Sequence, residues 1–282
     1  METYVFIAVL IAALFHATWN TFVKIDGDRL VFMAVMMVGS GFGAFITIPF
    51  LPLPAIESWP YIALSIFLHN GYLLFLILAY RYGDLSHVYP LARGSAPLIV
   101  AFVSITFIGE QLTNHGLLAI FIMAVGIVSL CFTRGAQNLR NPAAVFFALG
   151  TGLFLAGYTL TDGVGARIAG NAHSYSAWMM SLETIPFLAF VFWRRGRSLL
   201  PQAACIWKTA LPLGVMSLAA YWTVIWAMSV APIALVAALR ETGIIFALIL
   251  GIFYLKERLS LLRFVAVFTT LVGAMMLKIS RP

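Results

Sequence analysis

Five charged side chains sit within long apolar stretches of this 282-residue chain: Arg93, Asp162, Glu183, Arg240 and Glu241. A charge at the centre of a membrane helix costs roughly 3 kcal/mol on insertion scales, so each marks a binding or relay role unless a partner neutralises it. Arg93 and Arg240 could hold a carboxylate or phosphate, because a guanidinium presents two parallel N–H donors to such a group. The plainer alternative is that the two arginines pair with Glu183 or Glu241 and only tie helices together. Glu241 follows Arg240 directly, and neighbours on a regular helix point about 100° apart. The two therefore cannot pair face to face, and at most one is expected to face a cavity squarely. Asp162, closer to the end of its stretch, is expected to be a helix-end partner of Arg167.

Proton chemistry has its own candidates. His16 and Asn20 are four residues apart and share a helix face beside Trp19. Histidine titrates near neutral pH and can carry a coupling proton; Glu183 is the second candidate for that role. A neutral histidine hydrogen-bonded across a helix interface is the competing reading of His16. His69 and Asn70, in mid-stretch, invite the same two readings as supporting groups. Trp222 and Trp226, four residues apart with Tyr221 beside them, and Tyr158, at the position equivalent to Trp19, could with nearby carboxylates form rings around an ammonium. Interhelical or lipid-facing packing is the alternative. No metal-ligand spacing, nucleophile motif or phosphate-binding loop occurs, so neither an enzyme nor a cofactor is expected. Cys131 and Cys205 read as small hydrophobes.

The elements that must position these groups follow from composition. The chain is 62% hydrophobic and 10% charged, against about 45–50% and 25% in soluble domains. Lipid is therefore the solvent, and a membrane helix needs about 20 apolar residues. Ten such spans are predicted, near 3–24, 29–50, 59–81, 85–109, 113–133, 142–166, 173–193, 207–229, 232–255 and 259–279. The expected class is an all-α integral membrane protein with no separate soluble domain. The net charge of +7 is spread over span ends and reads as topology and lipid-headgroup contact rather than nucleic-acid binding. Span one lacks the basic lead and cleavage site of a signal peptide. Twelve loop Lys and Arg (Lys24, Arg29, Arg81, Arg134, Arg140, Arg194, Arg195, Arg197, Lys208, Lys256, Arg258, Arg263) fall on one side. Arg167, Lys278 and Arg281 fall on the other with both termini, which by charge would lie outside. The Gly39-x-x-x-Gly43 step predicts close helix packing. Pro90 and Pro97 bracket Arg93, and Pro232 opens span nine, where they would kink or hinge the helices.

An internal repeat organises the spans. Residues 80–116 align without gaps on 227–263 at a constant offset (240 − 93 = 147 for the arginines), which also pairs Glu110 with Glu257 and Gly126 with Gly273. Ala17 and Trp19 fall on Ala156 and Tyr158 at an offset of 139. The halves are then 1–138 and 139–282, five spans each. An odd number of spans inverts the second half in the membrane, the architecture of alternating-access carriers with a site near the midplane.

The run Tyr89-Pro90-Leu91-Ala92-Arg93-Gly94-Ser95-Ala96-Pro97 with Gly109-Glu110, and Arg240-Glu241-Thr242 with Lys256-Glu257-Arg258-Leu259, resembles the paired signatures of EamA-type members of the drug/metabolite transporter superfamily. The resemblance covers essentially the whole chain, though Gln111 and Lys256 stand where the commonest pattern has Arg and Gly. It implies ten spans in two five-span repeats, and termini in the cytoplasm, opposite to the charge count. Together these readings predict a secondary transporter in the cell membrane (the bacterial inner membrane), moving small polar or zwitterionic, amino-acid-like metabolites and coupled to protons. Expected substrate contacts are Arg93, Arg240, Glu241, Trp19, Tyr89, Trp222 and Trp226, with Glu183 and His16 for the proton and Asn20, His69 and Asn70 in support. A carrier for an organic cation in an aromatic cage is the alternative; a channel would need a continuous polar lining that the sequence lacks.

Overall fold

The computed structural model describes residues 1–25, 28–82, 85–132, 141–255 and 261–279. Arg134, Arg140, Lys256-Glu257-Arg258-Leu259 and Arg281, named above for loop charge or family resemblance, lie outside them, as does the side chain of Lys24.

All regular structure among the described residues is helical: α1 Thr3–Ile25, α2 Arg29–Thr47, α3 Trp59–Tyr82, α4 Leu85–Val103, α5 Asn114–Ser129, α6 Pro142–Ile168, α7 Ala172–Arg195, α8 Leu199–Val230, α9 Ile233–Arg240, α10 Gly243–Leu255 and α11 Leu261–Ile279. Among the described residues, nine stretches are long and apolar enough to cross a membrane; one of them, Ala172–Val230, is 59 residues long and holds both α7 and α8. The protein is a multi-pass membrane protein. Side-chain caps start several helices where polar residues interrupt the apolar pattern. The Asp28 carboxylate accepts from the amides of Leu30 and Val31, Thr113 caps α5, Asn141 precedes Pro142 of α6, and Asn171 accepts from His173 and Ser174. Each satisfies amides that have no partner within the helix. The predicted start of span eight at 207 is corrected to Leu199. Its first turns lie among Arg195, Arg197 and Lys208, and a helix can run past the hydrocarbon wherever its polar flank meets headgroups.

Packing follows the rule for lipid, with small residues inside and large ones outside. On α1, Val5, Val9, Ala12, Ala13 and Ala17 are buried, while Tyr4, Ile7, Ile11 and Leu14 on the other face are exposed. Phe42, Phe45, Phe67, Phe102, Phe107 and Phe146 face outward elsewhere. The Gly39–Gly43 step behaves as expected: a Cβ on Gly39 would meet the backbone of Leu211, and one on Gly41 the Thr184 side chain. Gly214 returns the contact, lying against the Met36 carbonyl. Helix α3 packs on α6 and α7, α2 on α7 and α8, α1 on α8 and α10, α4 on α5 and α6, and α5 on α11. The ends of the chain meet, with Lys278 Nζ donating to Thr3 Oγ1 at 2.6 Å.

Two features of the backbone bear on the site. Helix α4 runs through both Pro90 and Pro97 and ends in a π-helical turn, Ser104–Ile108, closed by Gly109 at φ 77. That left-handed conformation suits glycine and redirects the chain at Glu110. Span nine is not one helix. It breaks after Arg240, where the amides of Glu241, Thr242, Ile244 and Ile245 bond carbonyls three residues back instead of four.

Candidate functional site

The centre of the bundle gathers charge from α4 and the α9–α10 break. Arg93 is 7%, Arg240 5% and Glu241 3% exposed. Arg93 Nε lies 3.1 Å from Glu241 Oε2, so the first arginine is neutralised by the carboxylate. Its guanidinium also stands 5.7 Å from the ring centroid of Tyr89. Arg240 has no carboxylate among the described residues. Its guanidinium lies 6.0 Å from the Tyr158 ring and 5.9 Å from the Tyr221 ring, and its Nε is buried with no hydrogen-bond partner. Arg240 and Glu241 both line one crevice, with Ala96, Pro97 and Val100 of α4, Leu155 and Thr159 of α6, and Ala237 of α9. They do point apart, Arg240 toward α6 and α8 and Glu241 toward α4, and the crevice lies between those directions.

A second cluster adjoins the first through its aromatic rings. His69 stacks on Tyr158 with centroids 3.9 Å apart and meets Tyr221 edge-on at 5.5 Å. Tyr72 completes the set with an edge-on contact to Tyr158. Behind the rings, Asp162 is fully buried and accepts hydrogen bonds from Tyr175 Oη at 2.9 Å and Tyr221 Oη at 2.5 Å. The expectation that Asp162 pairs with Arg167 is thereby corrected. Helix α6 continues to Ile168, which leaves Asp162 well inside it, and Arg167 lies five residues further along. Arg167 instead donates to Glu110 Oε1 at 2.7 Å and to the carbonyls of Met228 and Ala231. Glu110 also accepts from the amides of Ile233 and Ala234, the first turn of α9. Charge favours that contact, since a helix amino end carries partial positive charge.

The other expected site residues divide. His16 and Asn20 share one face as expected, with Asn20 Nδ2 and His16 Nε2 3.2 Å apart, and His16 meets Trp19 edge-on at 4.8 Å. His16 is within electrostatic reach of Arg93 and Arg240. Trp19 Nε1 is buried and has no partner. Glu183 is buried on α7, electrostatically coupled to His69 and Asp162, and in no ion pair with either arginine. His69 bonds back to Ser65, and Asn70 Nδ2 to the Ile66 carbonyl, both on their own helix. Trp222 and Trp226 are not drawn to the arginines: Trp222 Nε1 bonds His173, and Trp226 lies against Tyr4. Tyr221, one position and about 100° away on the same helix, is the ring of α8 that meets Arg240. Tyr175 carries no sequence signal, and Asp162, expected only as a helix-end partner, stands at the centre of this cluster. For Tyr158 a signal existed, since the repeat places it on Trp19.

The model of the EamA-like transporter family matches residues 3–132 and 142–279. No curated protein matches the chain. A crystal structure of a protein superposes with a TM-score of 0.80 at 16% identity, covering 99% of this chain and 98% of the other. At that identity the likeness is one of fold.

Proposed function

Since the chain belongs to the EamA-like transporter family, we propose that it is a secondary transporter for small polar or zwitterionic, amino-acid-like metabolites in the cell membrane, working by alternating access with proton coupling. The observation that carries this reading is the buried, unpartnered Nε of Arg240 beside a crevice lined by Arg240 and by Glu241, the carboxylate that pairs with Arg93. Two guanidiniums and one carboxylate leave one positive charge in excess, which a substrate carboxylate balances. A buried donor without an acceptor is costly by about 1–3 kcal/mol, and a bound carboxylate removes that cost. The Glu241 carboxylate offers the substrate ammonium its contact. The organic-cation reading is weaker, because the faces of Tyr158 and Tyr221 are already taken by the protein's own guanidinium.

In this reading the membrane domain has ten crossings, with Ala172–Val230 making two of them, divided into inverted halves 1–138 and 139–282. Helix pairing supports the division. If α1, α2, α3 and α5 correspond to α6, α7, α8 and α11, and α4 to α9 with α10, the contact of α3 with α6 has its mate in α8 with α1. Likewise α2 with α8 mirrors α7 with α3, and α4 with α6 mirrors α10 with α1. Gly126 lies against Thr269 of α11, and its repeat mate Gly273 against Met123 and Ala119 of α5. Glu183 and His16 remain candidates for the coupling proton.

The test is thermal stabilisation of the purified protein by a panel of amino acids, organic acids and amines, because a ligand of the folded state raises its stability by mass action. Compounds bearing both a carboxylate and an ammonium should stabilise it, and Arg240→Gln should abolish the effect. Stabilisation by simple amines alone would reject this substrate class.

A further inference from the structure

We propose that Asp162 is a proton-binding site of this carrier, and that the proton it holds is communicated to the Arg240 site through the hydroxyl and ring of Tyr221. The inference rests on the transporter reading above and adds to it a residue that neither His16 nor Glu183 replaces. Asp162 is fully buried in the middle of the bundle, and no guanidinium or ammonium contacts it among the described residues. An isolated carboxylate in such a place is poorly tolerated unless hydrogen bonds hold it or a proton neutralises it.

The surroundings suit both protonation states. An ionised carboxylate only accepts hydrogen bonds, and Tyr175 Oη from α7 and Tyr221 Oη from α8 supply two donors. A protonated carboxyl needs an acceptor for its own O–H. Ser65 on α3 is close enough to interact with the carboxyl, and its hydroxyl is 3.2 Å from His69 Nδ1. On protonation one O–H bond forms at Asp162 with a proton drawn from water, and on release that proton returns to water. The titratable groups that face Asp162 are His69 from α3, Tyr175 and Glu183 from α7, and Tyr221 from α8. Arg240 is reached through the Tyr221 ring, whose centroid is 5.9 Å from its guanidinium. When Asp162 loses its charge, Tyr221 is freed from a charge-assisted hydrogen bond, and the ring over which Arg240 sits is free to move.

Infrared difference spectroscopy of the purified full-length protein in lipid nanodiscs, titrated with pH in the absence of any substrate, tests this. A protonated-carboxyl C=O band that grows and fades reversibly with pH is expected, lost in Asp162→Asn and kept in Glu183→Gln. Tyr221→Phe and Tyr175→Phe each remove one donor while sparing the carboxyl, and should shift the band and its titration midpoint. These two variants decide the matter if Asp162→Asn does not fold. Arg240→Gln should move the midpoint as well. A band that survives in Asp162→Asn and disappears in Glu183→Gln overturns the assignment, as does the absence of any titrating band. Indifference of the midpoint to Tyr221→Phe and Arg240→Gln overturns the link to the arginine site. Because the readout needs no transported compound, its failure is separate from a failure of the ligand panel.

Discussion

Neutralising Glu241 should destabilise the protein through the charge it leaves behind. Arg93 Nε and Glu241 Oε2 are 3.1 Å apart, with side-chain exposures of 9% and 4%. At an effective dielectric of about 20, charges at that separation attract by about 5 kcal/mol, most of it offsetting the loss of hydration. Removing one partner therefore matters more than the net worth of the pair. Glu241→Gln strands the Arg93 guanidinium, and loss of one partner of a buried pair costs about 3–5 kcal/mol. Arg93→Met strands Glu241 in the same way, because Arg240 points toward Tyr158 and Tyr221 and cannot take over. The double variant Arg93→Met/Glu241→Gln leaves no charge to compensate and should be more stable than either single one. Thermal unfolding of the three purified variants in one detergent, followed by loss of the monodisperse elution peak, gives the ranking. Silent single variants, or a double variant whose loss equals the total of the two, would refute the coupling and with it the ion pair assigned to Arg93.

Three further outcomes are expected. Glu110→Ala deprives the first amides of α9 and the Arg167 guanidinium of their acceptor; a loss of about 1–3 kcal/mol and faster hydrogen exchange at Ile233 and Ala234 should accompany it. Gly273→Leu forces a side chain against Met123 and the Ala119 carbonyl, an overpacking cost of about 1–3 kcal/mol that should appear as a lower unfolding temperature, whereas an unchanged one would mean that α5 and α11 are not in close contact. Trp19→Phe deletes an indole N–H that is buried without a partner; the unliganded melting temperature should hold while stabilisation by zwitterionic compounds weakens, and equal stabilisation would remove Trp19 from the substrate site.

The apolar runs were legible because lipid demands length and composition alone, and the same arithmetic placed Arg93 and Arg240 at mid-depth. The break in span nine was not legible, since no proline marks it and hydropathy runs on past Thr242 into Ile244 and Ile245. Burial depth misled at Asp162, where the apolar pattern fades before the helix ends. Partner choice was beyond reach for a different reason. Glu110 and Arg167, or Tyr221 and Asp162, are 57 and 59 residues apart, and only the packing of α4, α6, α8 and α9 decides which polar groups meet. The tryptophans of α8 show the limit of composition: rings at 222 and 226 looked equivalent to the one at 221, and one step around the helix separated them from the arginine.

Glu110 clasps the amino end of α9 from the chain segment that follows α4, and Arg167 ties the same carboxylate to the end of α8. In the alternating-access cycle proposed above, the clasp would serve as the pivot of a pair of tongs whose arms carry Arg93 and Arg240. Arg240 stands seven residues beyond the gripped amide of Ile233, roughly 10 Å along a helix axis. Tilting that arm by about 10° about the pivot would swing Arg240 by about 2 Å, as far as separates a guanidinium touching a carboxylate from one that has let it go.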